Sequence, residues 1–384
     1  MGSLIRDLAA STPQMLDAFG DAALLGAGLA FERELAAAEA AEGLLSAAEA
    51  AAIAQACVAL PDVETLAAAA AHAGTLAIPL VKELRARLAD QPEAAAKVHL
   101  GATSQDLADT ALMLQAKAGL ELIGRDAARL TGALAALAER HAQTPMLART
   151  LLQPARPTTF GLKAAGWLLG IAQAQARLDR EAQAALQLQF GGAAGTLEGL
   201  DGKAFAVAER LAGRLGLAAP PTPWHARRDA IAGLACALAI LTGALGKMAG
   251  DLALLAQGEV AEAFEPRTPG RGGSSAMAYK RNPTGSQVAR SAALRAPQLA
   301  ATIVAALPQE HERGLGGWQA EGPVLAELFC VAHGALVAMT DVAEGLEVHP
   351  ERMAANLAAA GVGEDVGESP ALVARALESV RAGR

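Results

Sequence analysis

Aromatic side chains are scarce in this sequence, at 3% of 384 residues, although 53% of the chain is hydrophobic. A core built almost without rings must be filled by Ala, Leu and Val. Small side chains let helices approach closely, which suits long packed helices better than a sheet. Cysteine is equally thin. Cys57, Cys236 and Cys330 lie far apart, so neither a disulfide framework nor a metal-ligand spacing is visible, and a reducing cytoplasm is the expected compartment. Positive charge is in deficit: the formal net charge is −8, which leaves no basic footprint for nucleic acid. Arg6 and Asp7 come early and no continuous apolar segment opens the chain, so no signal peptide is expected. The stretch from Ala230 to Gly246 is almost uncharged, but alanine and glycine dilute it, and Lys247 and Asp251 follow at i,i+4 spacing. It reads as a buried bundle helix and not as a membrane span.

What the chain does contain is helical patterning. Residues 14 to 55 are rich in Ala, Leu and Glu. Within them Phe31-Glu32-Arg33-Glu34-Leu35 begins a run whose glutamates are expected on a solvated face. Pro61-Asp62-Val63-Glu64 looks like a helix start, with acids near the positive helix end. Long helices are expected from about Leu107 to His141, Phe160 to Gln187, Asp229 to Ala263 and Gly285 to Leu307, with a further one ending near Gly345. The last forty residues read as short helical pieces around a Gly/Glu-rich turn, Gly361 to Glu368. No strand is expected anywhere. The fold class is therefore all-α.

Polar loops interrupt these helices. Val98-His99-Leu100-Gly101-Ala102-Thr103-Ser104-Gln105-Asp106 precedes a long helix, where Thr103 or Ser104 can either cap the helix or help bind an anion at its N-terminus. Arg149-Thr150-Leu151-Leu152-Gln153-Pro154 is punctuated by proline. Gly191-Gly192-Ala193-Ala194-Gly195-Thr196 lacks the Gly-Lys-Ser/Thr ending of a phosphate loop and reads as a close backbone approach. Pro220-Pro221-Thr222-Pro223-Trp224-His225 is extended. Arg271 to Pro283 is the least helical passage of the second half. Its glycines make it flexible, its serines offer hydroxyls, and Lys280, Arg281 and Asn282 offer donors to an anion. Gln309-Glu310-His311-Glu312-Arg313 is a further polar cluster. There Arg313 is poised either to pair with its neighbouring glutamates or to meet a ligand. His141 and His333 fall within or late in helices and read as structural, while His225 is left open.

Together these loops carry a resemblance. Gly273-Ser274-Ser275-Ala276-Met277-Ala278-Tyr279-Lys280-Arg281-Asn282-Pro283 resembles the signature of the fumarase/aspartase superfamily, which has proline where this chain has Ala278. His99 to Asp106, with Asp109-Thr110, looks like its first conserved region. Gln189 to Leu197, Pro223-Trp224-His225 with Arg228-Asp229, and Pro308 to Trp318 resemble the carboxymuconate cycloisomerase branch. The resemblance spans about residues 10 to 345, and the tail looks shorter than a full third domain. It implies a three-domain fumarase/aspartase-like fold with a shortened C-terminal domain. The expected divisions are an N-terminal helical domain at 1–105, a central long-helix bundle at 106–345 and a short helical segment at 346–384. It also implies a homotetramer around a twenty-helix core, with each active site assembled from three subunits. Neither nucleic acid nor membrane is an expected partner.

The resemblance implies chemistry too. Enzymes of this superfamily remove a proton next to a carboxylate and expel a group from the neighbouring carbon, through an aci-carboxylate dianion that needs surrounding donors. It places the proton carrier at Ser274, with Lys280 and the loop N–H groups to stabilise its alkoxide and Asn282 to bind a carboxylate. His99, Thr103, Ser104, Arg149, Gln153, Arg228 and Arg313 are the candidates for holding a small tricarboxylate substrate. Many relatives carry a general acid in a Thr-His-x-Gln segment. The matching residues here are Thr150-Leu151-Leu152-Gln153, and leucine has no proton to give. No metal triad or nucleotide fingerprint is seen, so no cofactor is expected.

Overall fold

A computed structural model describes residues 3–277 and 279–383. Seven helices come first: α1 (Leu4–Leu8), α2 (Pro13–Ala18), α3 (Asp21–Ala41), α4 (Ala47–Ala56), α5 (Val63–Ala73), α6 (Ala77–Arg87) and α7 (Pro92–Lys97). Then α8 (Ser104–Arg140) leads to a hairpin of β1 (Pro145–Thr150) and β2 (Gln153–Thr159). α9 (Phe160–Ala185), the shorter α10 (Ala204–Leu215) and α11 (Asp229–Leu255) follow. β3 (Ala263–Phe264), α12 (Thr284–Ala305), α13 (Gly317–Glu344), β4 (Glu347–Val348), α14 (Pro350–Ala360) and α15 (Ser369–Ala382) complete the chain.

The five long helices α8, α9, α11, α12 and α13 pack into one bundle whose core is Leu, Ala, Ile and Met. Leu130, Leu134, Leu168, Leu238, Leu245 and Leu336 are fully buried there, each contributing about 1.5–3 kcal/mol by burial. The small residues act as the sequence suggests. A Cβ placed on Gly246 of α11 would lie 2.5 Å from Ala293 Cβ of α12, so those two helices meet nearly backbone to backbone.

Helix boundaries follow local chemistry. Asp62 caps α5 by accepting the Thr65 N–H at 2.8 Å, and α5 ends at Gly74 in the left-handed region. α8 begins where the Thr103 N–H donates to Asp106 at 2.9 Å. α11 stops eight residues short of the expected Ala263, because Val260 and Ala261 N–H groups turn back to the Gln257 carbonyl and the chain enters β3.

The expectation of no strands is corrected. β1 and β2 pair antiparallel from Pro145↔Thr159 to Thr150↔Gln153, with a bulge between Leu147 and Arg149, and β3 pairs with β4. The solvated face expected for Glu32 is corrected as well: Glu32 is 1% exposed.

Because the long helices alternate in direction, every loop that joins them falls at one of two bundle ends. The first end collects 98–106, 186–203, 216–228 and 306–316. The second collects 141–159, 256–283 and 345–349. The 37 residues of α8 separate these ends by about 55 Å at 1.5 Å per residue.

Candidate active site

At the first end the organiser is Asp106, fully buried in the first turn of α8. Its carboxylate accepts from the N–H groups of Thr103, Gly191 and Gly192 at 2.9–3.0 Å and lies 2.7 Å from His225 Nε2. One side chain thus ties three loops together. Gly191 has to be glycine, since a Cβ there would sit 2.7–2.8 Å from Pro223 and His225. The close backbone approach expected of this glycine loop is what the fold shows. His225, left open by the sequence, is part of this clamp.

Thr103, Ser104 and His99 surround the same helix start. Arg313 spans to it from the far loop. Its Nη1 donates to Thr103 Oγ1 at 2.9 Å, and its Nη2 donates to the carbonyls of Gly192 and Ala193. It pairs neither with Glu310 nor with Glu312. His99 stands in a left-handed backbone conformation, φ 66°. Its Nδ1 lies 2.5 Å from the buried Glu32 carboxylate, a partner that local sequence pattern does not reveal.

Arg228 requires a correction. It was expected to hold substrate, but its side chain is 1% exposed. Its guanidinium bonds Asp109 at 2.7 and 2.8 Å and Glu321 at 2.5–3.1 Å, and it stacks over Trp224 at 4.7 Å. Burial pushes Glu321 up from the usual carboxylate range against the pull of Arg228. All three nitrogens of this buried arginine donate to the two carboxylates, so it braces α8, α11 and α13 from inside, out of a ligand's reach.

At the second end the hairpin presents Leu151 and Leu152 at its two-residue turn. They have φ 51° and 65° and are 96% and 73% exposed. Gln153 follows, exposed. Arg149 is bound bidentate by the buried Glu262, 2.9 Å on each oxygen, so its charge is already balanced. At the same bundle end lies the loop 266–283. There the N–H groups of Ala276 and Met277 donate to Ser274 Oγ at 3.3 and 3.1 Å, the donor arrangement an alkoxide would need. Asn282 Nδ2 donates to the Gly273 carbonyl, and Lys280 Nζ has no hydrogen-bond partner among the described residues. Arg267, Arg271, Lys280, Arg281 and Asn282 line a hollow of about 300 Å³ under this loop. Glu265 anchors the loop's exit by accepting from the Gly285 and Ser286 N–H groups and the Ser286 hydroxyl. Ala278 lies outside the described residues.

The ten expected site residues therefore fall into two sets. His99, Thr103, Ser104, Arg228 and Arg313 gather at the first end; Arg149, Gln153, Ser274, Lys280 and Asn282 gather at the second. A single chain does not bring the two sets together. A larger hollow of about 800 Å³, walled by Leu16, Leu24, Leu76, Leu112, Trp318 and Pro323, contains none of the ten.

A long-helix bundle with a Ser-, Lys- and Asn-bearing loop at one end and a capped, hydroxyl-rich helix start at the other defines a helical lyase-type enzyme of the fumarase/aspartase class. The profile of the lyase family matches residues 7–297, and the chain belongs to that family. It is 51% identical over 349 residues to a 3-carboxy-cis,cis-muconate cycloisomerase of Bradyrhizobium diazoefficiens, covering 90% of this chain and 77% of that one. It is 43% identical over 382 residues to a nitrosuccinate lyase of Streptomyces davaonensis, covering 96% and 80% respectively. The crystal structure of a 3-carboxy-cis,cis-muconate lactonizing enzyme from Pseudomonas putida superposes with a TM-score of 0.93, at 39% identity over 99% of each chain.

Proposed function

We propose that this chain catalyses the cofactor-free cycloisomerisation of 3-carboxy-cis,cis-muconate to 4-carboxymuconolactone, a cytoplasmic step of protocatechuate breakdown. The kinship to cycloisomerases supports it, and the observation that carries it beyond kinship is Leu151. At the hairpin tip, where many relatives hold an acid, the chain offers an exposed hydrocarbon. An amine leaving group, as in adenylosuccinate, would need a proton from that position. A carboxylate leaves, or attacks, without one at neutral pH.

In the lactonising direction a substrate carboxylate oxygen forms a bond to a diene carbon, and one proton is added to the neighbouring carbon. No group departs. Ser274 Oγ carries that proton and is left as an alkoxide. The Ala276 and Met277 N–H groups already aim at this oxygen, and the Lys280 ammonium adds charge to the same loop. Asn282, with His99, Thr103, Ser104 and Arg313 of the first end, holds the remaining carboxylates.

Since the two sets stand at opposite bundle ends of one chain, the site is completed between subunits of a homotetramer. The exterior of the bundle supports this reading. Ile240 and Leu254 on α11 and Leu294 and Val304 on α12 are exposed, and only half of the most apolar stretch of α11 is buried within the chain. Such faces call for cover by other copies.

The test is loss of diene ultraviolet absorbance with carboxymuconate, run beside fumarate release from adenylosuccinate and nitrite release from nitrosuccinate. Lactone formation is expected to dominate. Ser274→Ala is expected to lower kcat at least about a thousandfold with the tetramer intact by light scattering. A folded tetramer that made no lactone, or an active Ser274→Ala enzyme, would overturn the assignment.

A further inference from the structure

Behind His99 lie two carboxyl groups that the chemistry above does not use. Glu32 and Glu39 stand seven residues apart on one face of α3, and each is 1% exposed. Glu32 Oε1 meets His99 Nδ1 at 2.5 Å across 67 residues of sequence. The other Glu32 oxygen and both Glu39 oxygens are buried without a hydrogen-bond partner among the described residues. Carboxyl groups so placed destabilise a fold. The imidazole that Glu32 meets is itself held at φ 66°, a strained conformation for a residue with a side chain. Stability explains neither feature. Positioning of one ring explains the burial of Glu32 and the strained backbone of His99.

A carboxylate on Nδ1 fixes the proton there and leaves Nε2 as the working nitrogen. His99 Nε2 has no partner among the described residues, and the side chain is 13% exposed, beside Thr103, Ser104 and the Arg313 strap. We propose that Glu32 is a positioning residue for substrate binding: it holds the Nδ1–H of His99 and stabilises the imidazolium whose Nε2–H grips one carboxylate of the tricarboxylate substrate. This rests on the cycloisomerase reading.

The surrounding charges agree. Burial alone would lower the His99 pKa, but the charge and hydrogen bond of Glu32, joined by Asp106 from α8, more than reverse that and leave it raised, with Arg85 of α6 in opposition. Glu39 adds no second anion at neutral pH, because burial and the neighbouring Glu32 push its carboxyl up to about 9.

Glu32→Gln keeps the shape and removes the charge. Steady-state kinetics on carboxymuconate from about pH 6 to about pH 9 are expected to show KM raised about tenfold. The change in kcat is expected to be much smaller, and the defect is expected to grow as pH rises. Glu32→Asp is expected to recover part of the loss. Histidine-selective 15N spectra are the second arm. In the parent enzyme neutral His99 should carry its proton on Nδ1, and in Glu32→Gln its protonation should move to lower pH. A parent His99 protonated on Nε2, or a Glu32→Gln enzyme with parental KM and pH dependence, would overturn the proposal. If the parent fails to lactonise carboxymuconate, the functional reading falls. The spectra then still decide whether Glu32 sets the imidazole.

Discussion

Glu39 is a carboxyl group that folding keeps protonated. Its pKa rises from 4.5 to about 9 through burial and the nearby Glu32. Between those values the native state binds a proton there that the unfolded chain has released, so stability is greatest below the unfolded pKa and falls as pH rises toward the folded one. The slope is at most about 1.4 kcal/mol per pH unit. Glu39→Gln supplies a neutral side chain of the same shape and removes the linkage. Its stability should match the parent near about pH 5 and exceed it by about 2–4 kcal/mol near about pH 8, measured by urea unfolding with circular dichroism. Parallel pH curves for the two proteins would contradict this. The same residues show how much a sequence discloses at this scale. Ser274, Lys280 and Asn282 stand in one short motif and can be read there. The partners of Glu32 and Arg228 lie 67, 93 and 119 residues away. No local pattern marks a glutamate that will be buried against a histidine, or an arginine that will be enclosed by two acids.

The long helices were legible because a 3.6-residue apolar period persists over twenty or more residues, and the observed ends at Arg140, Ala185 and Glu344 fall within a few residues of those expected. The hairpin was not legible. β2 contains Pro154 and Pro157, which read as breakers and are tolerated because they sit in a two-stranded edge. Its turn is Leu-Leu, where the left-handed conformation at both positions favours Asn-Gly. Two leucines that are strained and also exposed serve something beyond the hairpin. If the site is composite, as proposed, the two leucines would form a hydrocarbon wall against the diene. Replacing Leu151-Leu152 by Asn-Gly should stabilise the hairpin by about 1 kcal/mol while reducing kcat/KM for carboxymuconate about tenfold or more. A thermal melt beside a kinetic assay checks both halves. Unchanged turnover would free the tip from any role in the site.

At the scale of the whole molecule, the separation of the two sets of residues makes a quantitative demand. His99 and Ser274 sit at opposite ends of a bundle whose longest helix spans about 55 Å, far beyond the reach of one small tricarboxylate. If each site takes its first-end set from one subunit and its second-end set from another, a subunit carrying Ser274→Ala can still lend an intact His99, and one carrying His99→Ala an intact Ser274. Each variant alone should form a nearly inactive tetramer. Mixed by co-expression or joint refolding in equal amounts, random assembly gives a site a chance of one half for a sound first-end set and one half for a sound second-end set. About one quarter of sites should then be fully wild type, and activity should return to about that fraction of the parent. The mixture is measured by diene absorbance, with light scattering to confirm tetramers. A site built within one chain would give no recovery, because every subunit in the mixture carries one of the two defects.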